Sequence, residues 1–319
     1  MAGIVIQQER IPICSHRGSI VFGRYGSVDL HLCTACGLVF SSLMTEKRAD
    51  ASAYDNFYKP ESAARFGLGM ESIIRLFRLG RAVFLTTLAP EAKTILDIGS
   101  GRGWMLSDLR KRYGFKKTVG IQVSRPAVEF SRNKLGLEIF DRDLLEADFG
   151  RSRFDIATLW HVLEHVRHPQ ETIRRIHELL NPGGVLVIEV PNFDSWTCAW
   201  TLPYWLGLDP AHHLTFFTPS SLVSLLERNG FEIKRNRTFS LEYSAFISAE
   251  SILSRITRKD QVFFRWLQNP NLSVTAFVHL ILFGLLFMPC LFVNLALFFT
   301  LRGEVLRVVA MRRDGPQAS

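Results

Sequence analysis

The residues best suited to chemistry are histidines. His161 and His165 stand four apart in Trp160-His161-Val162-Leu163-Glu164-His165, and His212-His213 form an adjacent pair further along. Histidine titrates near neutral pH and can take or release a proton there. The i, i+4 spacing puts His161 and His165 on one face of a helical turn, where His165 and Glu164 could equally cap or brace that turn. A loop rich in Trp, Pro and Tyr (Trp196 to Tyr204) precedes His212 and His213 and could close over a small molecule; an ordinary hydrogen-bonded pair is the alternative. A second feature is the loop Asp97-Ile98-Gly99-Ser100-Gly101-Arg102-Gly103. Its glycines allow a tight strand-to-helix turn and close approach of backbone to a ligand, and the acid at the strand end can bind an amino group. A dinucleotide fingerprint, G-x-G-x-x-G, fits less well: the third glycine comes one residue early and Trp104 stands where helix packing wants glycine. A third feature is Cys33-Thr34-Ala35-Cys36-Gly37, two thiolates spaced to grip one metal on a tight turn.

These groups need a scaffold that brings them together. From Lys93 onward β and α patterns alternate, which predicts a parallel sheet with helices on both faces. The strands read as Thr94–Ile98, Thr118–Gln122, Leu137–Phe140, Phe154–Leu159, Gly184–Val190 and Phe231–Arg237, with a last one at Val305–Met311. His161 follows the fourth strand, at the carboxyl edge where open α/β sheets bind ligands. The second strand ends at Gln122, where such a site wants an acid for the ribose hydroxyls. Gln122 keeps an acceptor oxygen without the charge, or is simply a polar strand end. Asp143-Leu144 follows the third strand, where an adenine edge would sit.

Four segments taken together, LDIGSGRGWML (96–106), FDIATLWHVLEHVRHP (154–169), LLNPGGVLVIEVPN (179–192) and HHLTFFTPSSLVSLLERNGF (212–231), resemble class I S-adenosylmethionine-dependent methyltransferases. The resemblance covers residues 93–231 and the last strand, and is strongest to the bacterial subgroup with a zinc-ribbon-like N-terminus. It implies a Rossmann-like seven-stranded sheet with helices on both faces and a small N-terminal module, to which the sequence itself adds an apolar helical insertion before the last strand. It implies S-adenosylmethionine held by Asp97, Gly99, Ser100, Gly101 and Gly103 at its methionine part, Gln122 at ribose, Asp143 and Leu144 at adenine, and Trp160-His161 beside the sulfonium. Gln122 departs from the Glu or Asp usual in the family. Methyl transfer from a sulfonium asks the enzyme to position the acceptor and, for a hydroxyl, to remove its proton. His161 and His213 are the favoured base and proton relay, with His165 and His212 as further candidates. The resemblance also places a second C-x-x-C near residue 14, where this chain has Cys14-Ser15-His16-Arg17. The expected structural zinc ligands are therefore Cys14, His16, Cys33 and Cys36, unless the ribbon is held by packing alone.

Val274 to Leu301 is a run of 28 residues whose strongly polar members are His279 and Asn294. Its length suits a membrane span, but the resemblance implies that the strands on either side are neighbours in one sheet, so the chain should leave and return on the same side. Pro289 is the expected break, giving arms of about 22 and 18 Å, too short to cross a bilayer core of about 30 Å. A shallow re-entrant hairpin or two interfacial helices follow, flanked by Arg255, Arg258, Lys259 and Arg265 before and Arg302 and Arg307 after. A buried helical pair or a dimer interface is the alternative.

The chain of 319 residues thus divides into a zinc-ribbon-like module (1–45), a helical linker (46–92), the methyltransferase core (93–240), the apolar and basic insertion (241–302) and the last strand with its tail (303–319). The net charge of +8 favours an anionic partner, and with no RNA-binding motif or long basic run nucleic acid is not expected. Five cysteines, an odd and mostly clustered set, fit a reducing compartment, and Met1 to Arg10 shows no signal peptide. The resulting expectation is O-methylation of a lipid-linked or hydrophobic acceptor, such as a lipid-linked glycan, a polyprenyl compound or a quinone precursor, at the cytoplasmic face of a membrane contacted through residues 255–302. Rival readings are a soluble sugar methyltransferase dimerising through the apolar segment, a non-catalytic membrane scaffold, and a dehydrogenase.

Overall fold

The computed structural model describes residues 7–10, 16–44, 68–268 and 273–313. At the N-terminus, β1 (Gln7–Arg10), β2 (Arg17–Tyr25), β3 (Val28–Cys33) and β4 (Val39–Ser41) form an antiparallel sheet. Helix α1 (Leu68–Leu88) follows; the earlier part of the predicted helical region lies outside the described residues. Then come β5 (Thr94–Ile98), α2 (Trp104–Tyr113), β6 (Lys117–Ile121), α3 (Arg125–Leu135), β7 (Glu138–Phe140), β8 (Phe154–Trp160), α4 (Pro169–Leu179), β9 (Leu180–Pro191) and α5 (Trp196–Thr201). After them come β10 (Thr215–Phe216), α6 (Pro219–Arg228), β11 (Phe231–Arg237), α7 (Ser244–Thr257), α8 (Val262–Gln268), α9 (Val274–Ala296) and β12 (Val305–Arg312).

The large sheet has seven strands in the order β11-β12-β9-β8-β5-β6-β7. Strands β5 to β9 pair parallel and β12 runs antiparallel between β9 and β11. Strands such as Ile95-Leu96-Asp97-Ile98 are buried along their whole length, as expected where helices cover both faces. Ala82 and Leu85 of α1, Leu106 and Leu109 of α2 and Val128 of α3 fill one face. Ile173 and Ile176 of α4 with Leu222 and Leu226 of α6 fill the other. Strand order reverses at β5, between β6 and β8, which opens a crevice at the carboxyl ends of these strands.

Two long-range joins matter for the site. Strand β10 pairs with β4 (Thr215 opposite Phe40, Phe216 opposite Val39), so the N-terminal sheet is anchored to the segment that carries His212 and His213. The apolar insertion differs from the sequence expectation. Pro289 does not break it: α9 runs unbroken through the proline for 23 residues, about 34 Å. The carbonyl of Leu285, which proline leaves without its N–H partner, lies beside an exposed side chain and is not trapped in a core. The return path is supplied by α7, not by a hairpin within the apolar run. Asn294 donates to Ser248 Oγ (2.8 Å) and His279 Nε2 lies 3.4 Å from Thr257 Oγ1, which fixes α7 and α9 antiparallel. The two polar residues of the stretch are thus its clasps to α7, while Phe277, Leu285 and Phe292 are more than 60% exposed.

Candidate active site

A cavity of about 1940 Å³ lies over the crevice. Asp97, Gly99, Ser100, Gly101 and Gly103 border it from the loop after β5, with Gln122, Asp143 and Leu144 from the ends of β6 and β7 and Trp160 and His161 from the end of β8. Each proposed cofactor residue therefore reaches one space. Gly99 has φ +73°, and a Cβ there would sit 2.3 Å from Val162 Cγ2. Part of the need for glycine is thus packing against the segment that carries His161. A Cβ on Gly103 would likewise meet Leu137 Cδ1 at 2.4 Å.

Asp97 is buried, and its Oδ1 accepts a hydrogen bond from Thr158 Oγ1 at 2.6 Å. Burial raises its carboxyl to about 6, against the pull of Thr158 and Arg81. Gln122 is buried too, but its Oε1 accepts from the Ser124 backbone N–H (3.0 Å). One lone pair of the oxygen expected to meet the ribose is therefore used within the chain, and Gln122 also carries amide N–H donors. Asp143 is exposed and accepts from Leu145 N, while Leu144 is a core residue that also forms cavity wall. Trp160 keeps a buried indole N–H without a partner, and the Arg81 guanidinium lies 4.4 Å over its ring.

His161 adopts φ +56°, outside a helical turn, so its expected shared face with His165 is replaced by a sharp bend. Its Nδ1 lies 3.4 Å from Glu164 Oε1 and its Nε2 3.3 Å from Glu189 Oε1. Burial favours the neutral ring, but Glu164 and Glu189 outweigh it and raise His161 to about 9. At neutral pH it is an imidazolium with both nitrogens turned to carboxylates, which corrects its assignment as general base. Glu189 also accepts from Arg307 Nε at 2.6 Å and lies 3.6 Å from Arg81. Burial opposes its charge, yet Arg307, His161 and Arg81 hold it far below the usual carboxylate range. Arg78 and Arg81 of α1 both pair with Glu242 (2.8 and 2.7 Å), and the neighbouring Tyr243 ring packs 4.3 Å from that of His161. The sequence reading missed this network. One signal was available: Glu189 is the lone charge in the apolar strand Val185–Val190.

The other histidines meet around Glu164. His165 Nδ1 donates to the His212 carbonyl (3.1 Å), and His213 Nδ1 donates to the Gly207 carbonyl (2.9 Å). Their rings lie 4.7 Å apart. Burial, then the neighbouring His213, lowers His165 to about 4 and keeps it neutral. Glu164 is 2% exposed and neither carboxylate oxygen has a hydrogen-bond partner in strict geometry; despite its burial, the His161 imidazolium at 3.4 Å lowers its carboxyl and keeps it ionised. The ligand-type atoms of Glu164, His165 and His213 all lie within 4.8 Å of one another. His212 stands half-exposed at the cavity wall, paired with Asp209 at 2.8 Å.

In the N-terminal sheet His16, Cys33 and Cys36 also converge within 4.8 Å, away from the cavity lining. The Gly37 N–H bonds the Cys33 carbonyl at 3.0 Å, closing a knuckle turn. Cys14, the fourth expected ligand, lies outside the described residues.

A doubly wound sheet with one antiparallel strand, a glycine loop and a buried acid at the switch point define a class I methyltransferase fold. A family model described as a methyltransferase domain matches residues 71–235, 165 of the 319 residues, and the chain belongs to this family of S-adenosylmethionine-dependent methyltransferases. Among curated relatives it is 28% identical over 156 residues to a ubiquinone biosynthesis O-methyltransferase of Coxiella burnetii (45% of this chain, 65% of the relative). It is 30% identical over 149 residues to the protein of that name from Ruegeria pomeroyi (43% and 59%). The chain thus spans less than two thirds of these relatives. Two solved structures share the fold: Haemonchus contortus phosphoethanolamine N-methyltransferase 2 with S-adenosylhomocysteine (TM-score 0.51, 16% identity, 74% of this chain and 53% of that one) and a chain of the complex between the Haloferax volcanii Trm112 methyltransferase activator and a methyltransferase (0.50, 14%, 84% and 100%). The cofactor is S-adenosylmethionine, and the cradle fits it: an ionisable buried acid for its ammonium, glycines that leave room, and amide and carboxyl groups along its length.

Proposed function

We propose that the protein methylates an oxygen of a hydrophobic, lipid-linked acceptor at the cytoplasmic face of a membrane. One observation carries this reading. The cavity does not end at the donor cradle but continues into the insertion, where Phe246, Phe263, Phe264, Phe283 and Phe287 form its wall. Its volume exceeds the roughly 300–1,000 Å³ of ordinary ligand pockets, leaving space for a second, apolar molecule beside the donor. The names of the O-methyltransferase relatives, enzymes of ubiquinone biosynthesis, agree with an acceptor of that kind.

When bound, S-adenosylmethionine supplies an electrophilic methyl group. The chain supplies the rest. The hydrogen bond from His213 Nδ1 to Gly207 leaves the Nε2 lone pair as a proton acceptor at the cavity wall, and Glu164 stabilises the imidazolium that forms. The charged knot of His161, Glu189, Arg307 and Arg81 holds the end of β8 in place.

Helix α9 is long and apolar enough to cross a membrane by length and composition. The tip of the insertion carries Arg255, Arg258, Lys259 and Arg265, all exposed, and each would cost about 2.5–3.5 kcal/mol at a bilayer centre. An in-plane position of α9 at an anionic surface is therefore favoured over insertion tip-first. A second reading has its own support: exposed Val274, Val278, Ile281, Leu285, Met288, Phe292 and Leu295 recur at alternating four- and three-residue steps, the seam of a helix pair between two copies. The absence of any Asp, Glu, Lys or Arg from Ser273 to Leu301, and exposed Phe277 and Phe299 off the seam, favour lipid. In the N-terminal module His16, Cys33 and Cys36 are proposed to hold structural zinc; elemental analysis of wild type and Cys33→Ser tests this.

The functional test compares a phenol bearing a polyprenyl tail, presented in anionic vesicles, with its tail-less analogue. Mass spectrometry should show the gain of one methylene on the tailed compound at much higher kcat/KM. Equal turnover of the two would refute the reading, and a dimer in light scattering with no vesicle binding would favour the second one.

A further inference from the structure

We propose that the N-terminal sheet is the positioning element for the acceptor side of the cavity: β4 and the turn after it hold His213, and the turn bearing His165, in place at the cavity wall. The inference rests on the reading of His213 as proton acceptor and adds the element that places it. Strands β1 to β4 precede the methyltransferase domain matched at 71–235, yet they are built into its acceptor end at three points. The first is backbone. Strand β10 is two residues long, too short to persist without a neighbour, and that neighbour is β4. Just before β10, Leu214 is bonded on both sides. Its N–H donates to the Glu164 carbonyl (2.7 Å), and its carbonyl accepts from the Ser41 N–H (2.9 Å). Ser41 of β4, Leu214 beside His213 and Glu164 beside His165 thus lie on one line of hydrogen bonds.

The second point is a side chain. Arg167, two residues after His165, reaches back to the module: its Nη1 donates to the Met44 carbonyl (2.9 Å) and lies 3.5 Å from that of Leu43. These carbonyls end the helical turn Ser42–Met44, where carbonyls lack partners within the turn and favour a cation. The third point is packing. Leu38, Phe40 and Met44 share one core with Leu163 of the turn after β8 and with Leu214 and Phe217. Val39 and Phe216 pack with Trp205 and Leu208, which flank Gly207, the residue whose carbonyl accepts from His213 Nδ1. Among the described residues of the module only Met44 borders the cavity, so the module acts on the chemistry by placement and not by contact. A displacement of about 1 Å at a reacting group can cost about a hundredfold in rate. The donor cradle should be spared, because Gly99 and Ser100 donate to the Ile121 carbonyl and Gln122 to that of Phe140, all within the parallel sheet.

The test uses the full-length protein with substitutions at two of the joins. Ser41→Pro removes the N–H that faces β10. Arg167→Met removes the donor to Met44, whereas Arg167→Lys keeps one; a single Arg167 nitrogen makes both contacts, so a lysine amine can replace it. Hydrogen exchange read by mass spectrometry should quicken about tenfold or more at residues 212–217 in Ser41→Pro and Arg167→Met, and return toward wild type in Arg167→Lys. On the tailed phenol the first two should lower kcat about 10- to 100-fold with KM within about twofold, and Arg167→Lys should recover most of the loss. Binding of S-adenosylhomocysteine checks the fold; should Ser41→Pro lose it, the Arg167 pair carries the test. Wild-type exchange at 212–217 in the folded variants overturns the proposal, whatever is methylated. Faster exchange with undiminished kcat also overturns it and leaves the proposed function standing. Faster exchange in the variants, with no turnover of any hydrophobic acceptor by wild type, supports the brace and sinks the proposed function.

Discussion

Asp97→Asn separates charge from shape at the donor cradle. Asparagine keeps an oxygen to accept from Thr158 Oγ1, now at 2.6 Å, so the loop geometry should persist. What disappears is the negative charge facing the donor's ammonium. A hydrogen bond to a charged partner is worth about 1.5–3 kcal/mol net, which is about a 10- to 150-fold weaker Kd. The pH dependence gives a sharper signature. Because burial raises Asp97 to about 6, wild-type affinity should be flat above that pH and fall about tenfold per unit below it. The donor's α-amino group, with an ordinary pKa of about 8, stays charged across this range. The linkage to folding has the opposite sign. A carboxyl raised from 3.8 to about 6 contributes most below 3.8 and loses about 3 kcal/mol as pH rises through 6. Donor should therefore raise Tm more at pH 7.5 than at pH 5. Calorimetric titration with S-adenosylhomocysteine at several pH values reads all of this. A break near pH 6 that survives in Asp97→Asn, or a wild-type affinity indifferent to pH, would refute the reasoning.

Gly99→Ala places a Cβ 2.3 Å from Val162 Cγ2 at φ +73°, and should cost about 1–2 kcal/mol for the left-handed backbone plus about 1–3 for overpacking. Adding Val162→Ala should recover the second part but not the first, measured by urea denaturation. Glu242→Gln leaves Arg78 and Arg81 without their shared carboxylate and should destabilise by about 3–5 kcal/mol; replacing all three by apolar residues should recover most of it. Arg258→Gln and Lys259→Gln should each weaken flotation with anionic vesicles about fivefold, for about 1 kcal/mol per lost cation, and high salt should abolish the difference. Flotation that is insensitive to both substitutions and salt would argue against an electrostatic contact.

The core of the fold was legible because its signals are local. Apolar runs such as Ile95–Ile98 and Val185–Val190, separated by amphipathic helices, declare a buried parallel sheet, and the observed strands match the predicted ones to within a few residues at their ends. The donor loop was equally plain, since Asp97 and its glycines are adjacent in sequence. The acid–base assignment was less so. His161 looked like a base from its place after β8, but its protonation is set by Glu189, which lies on the neighbouring strand, and by Glu164 across a bend with positive φ. Gln122 was expected to offer an oxygen, and only the structure shows that a backbone N–H two residues away takes one of its two lone pairs.

By itself, then, the sequence determined the sheet, the cofactor cradle and the presence of an apolar insertion, because period, turn chemistry and run length are written in consecutive residues. Only the tertiary structure decided which histidine is charged and which is neutral, because burial and charge partners come from strands and loops far apart in the chain. It also decided the course of the insertion. Pro289 predicts a break from local sterics, but packing against α7, clasped through Asn294 and His279, keeps α9 continuous through the proline and leaves the return to another helix.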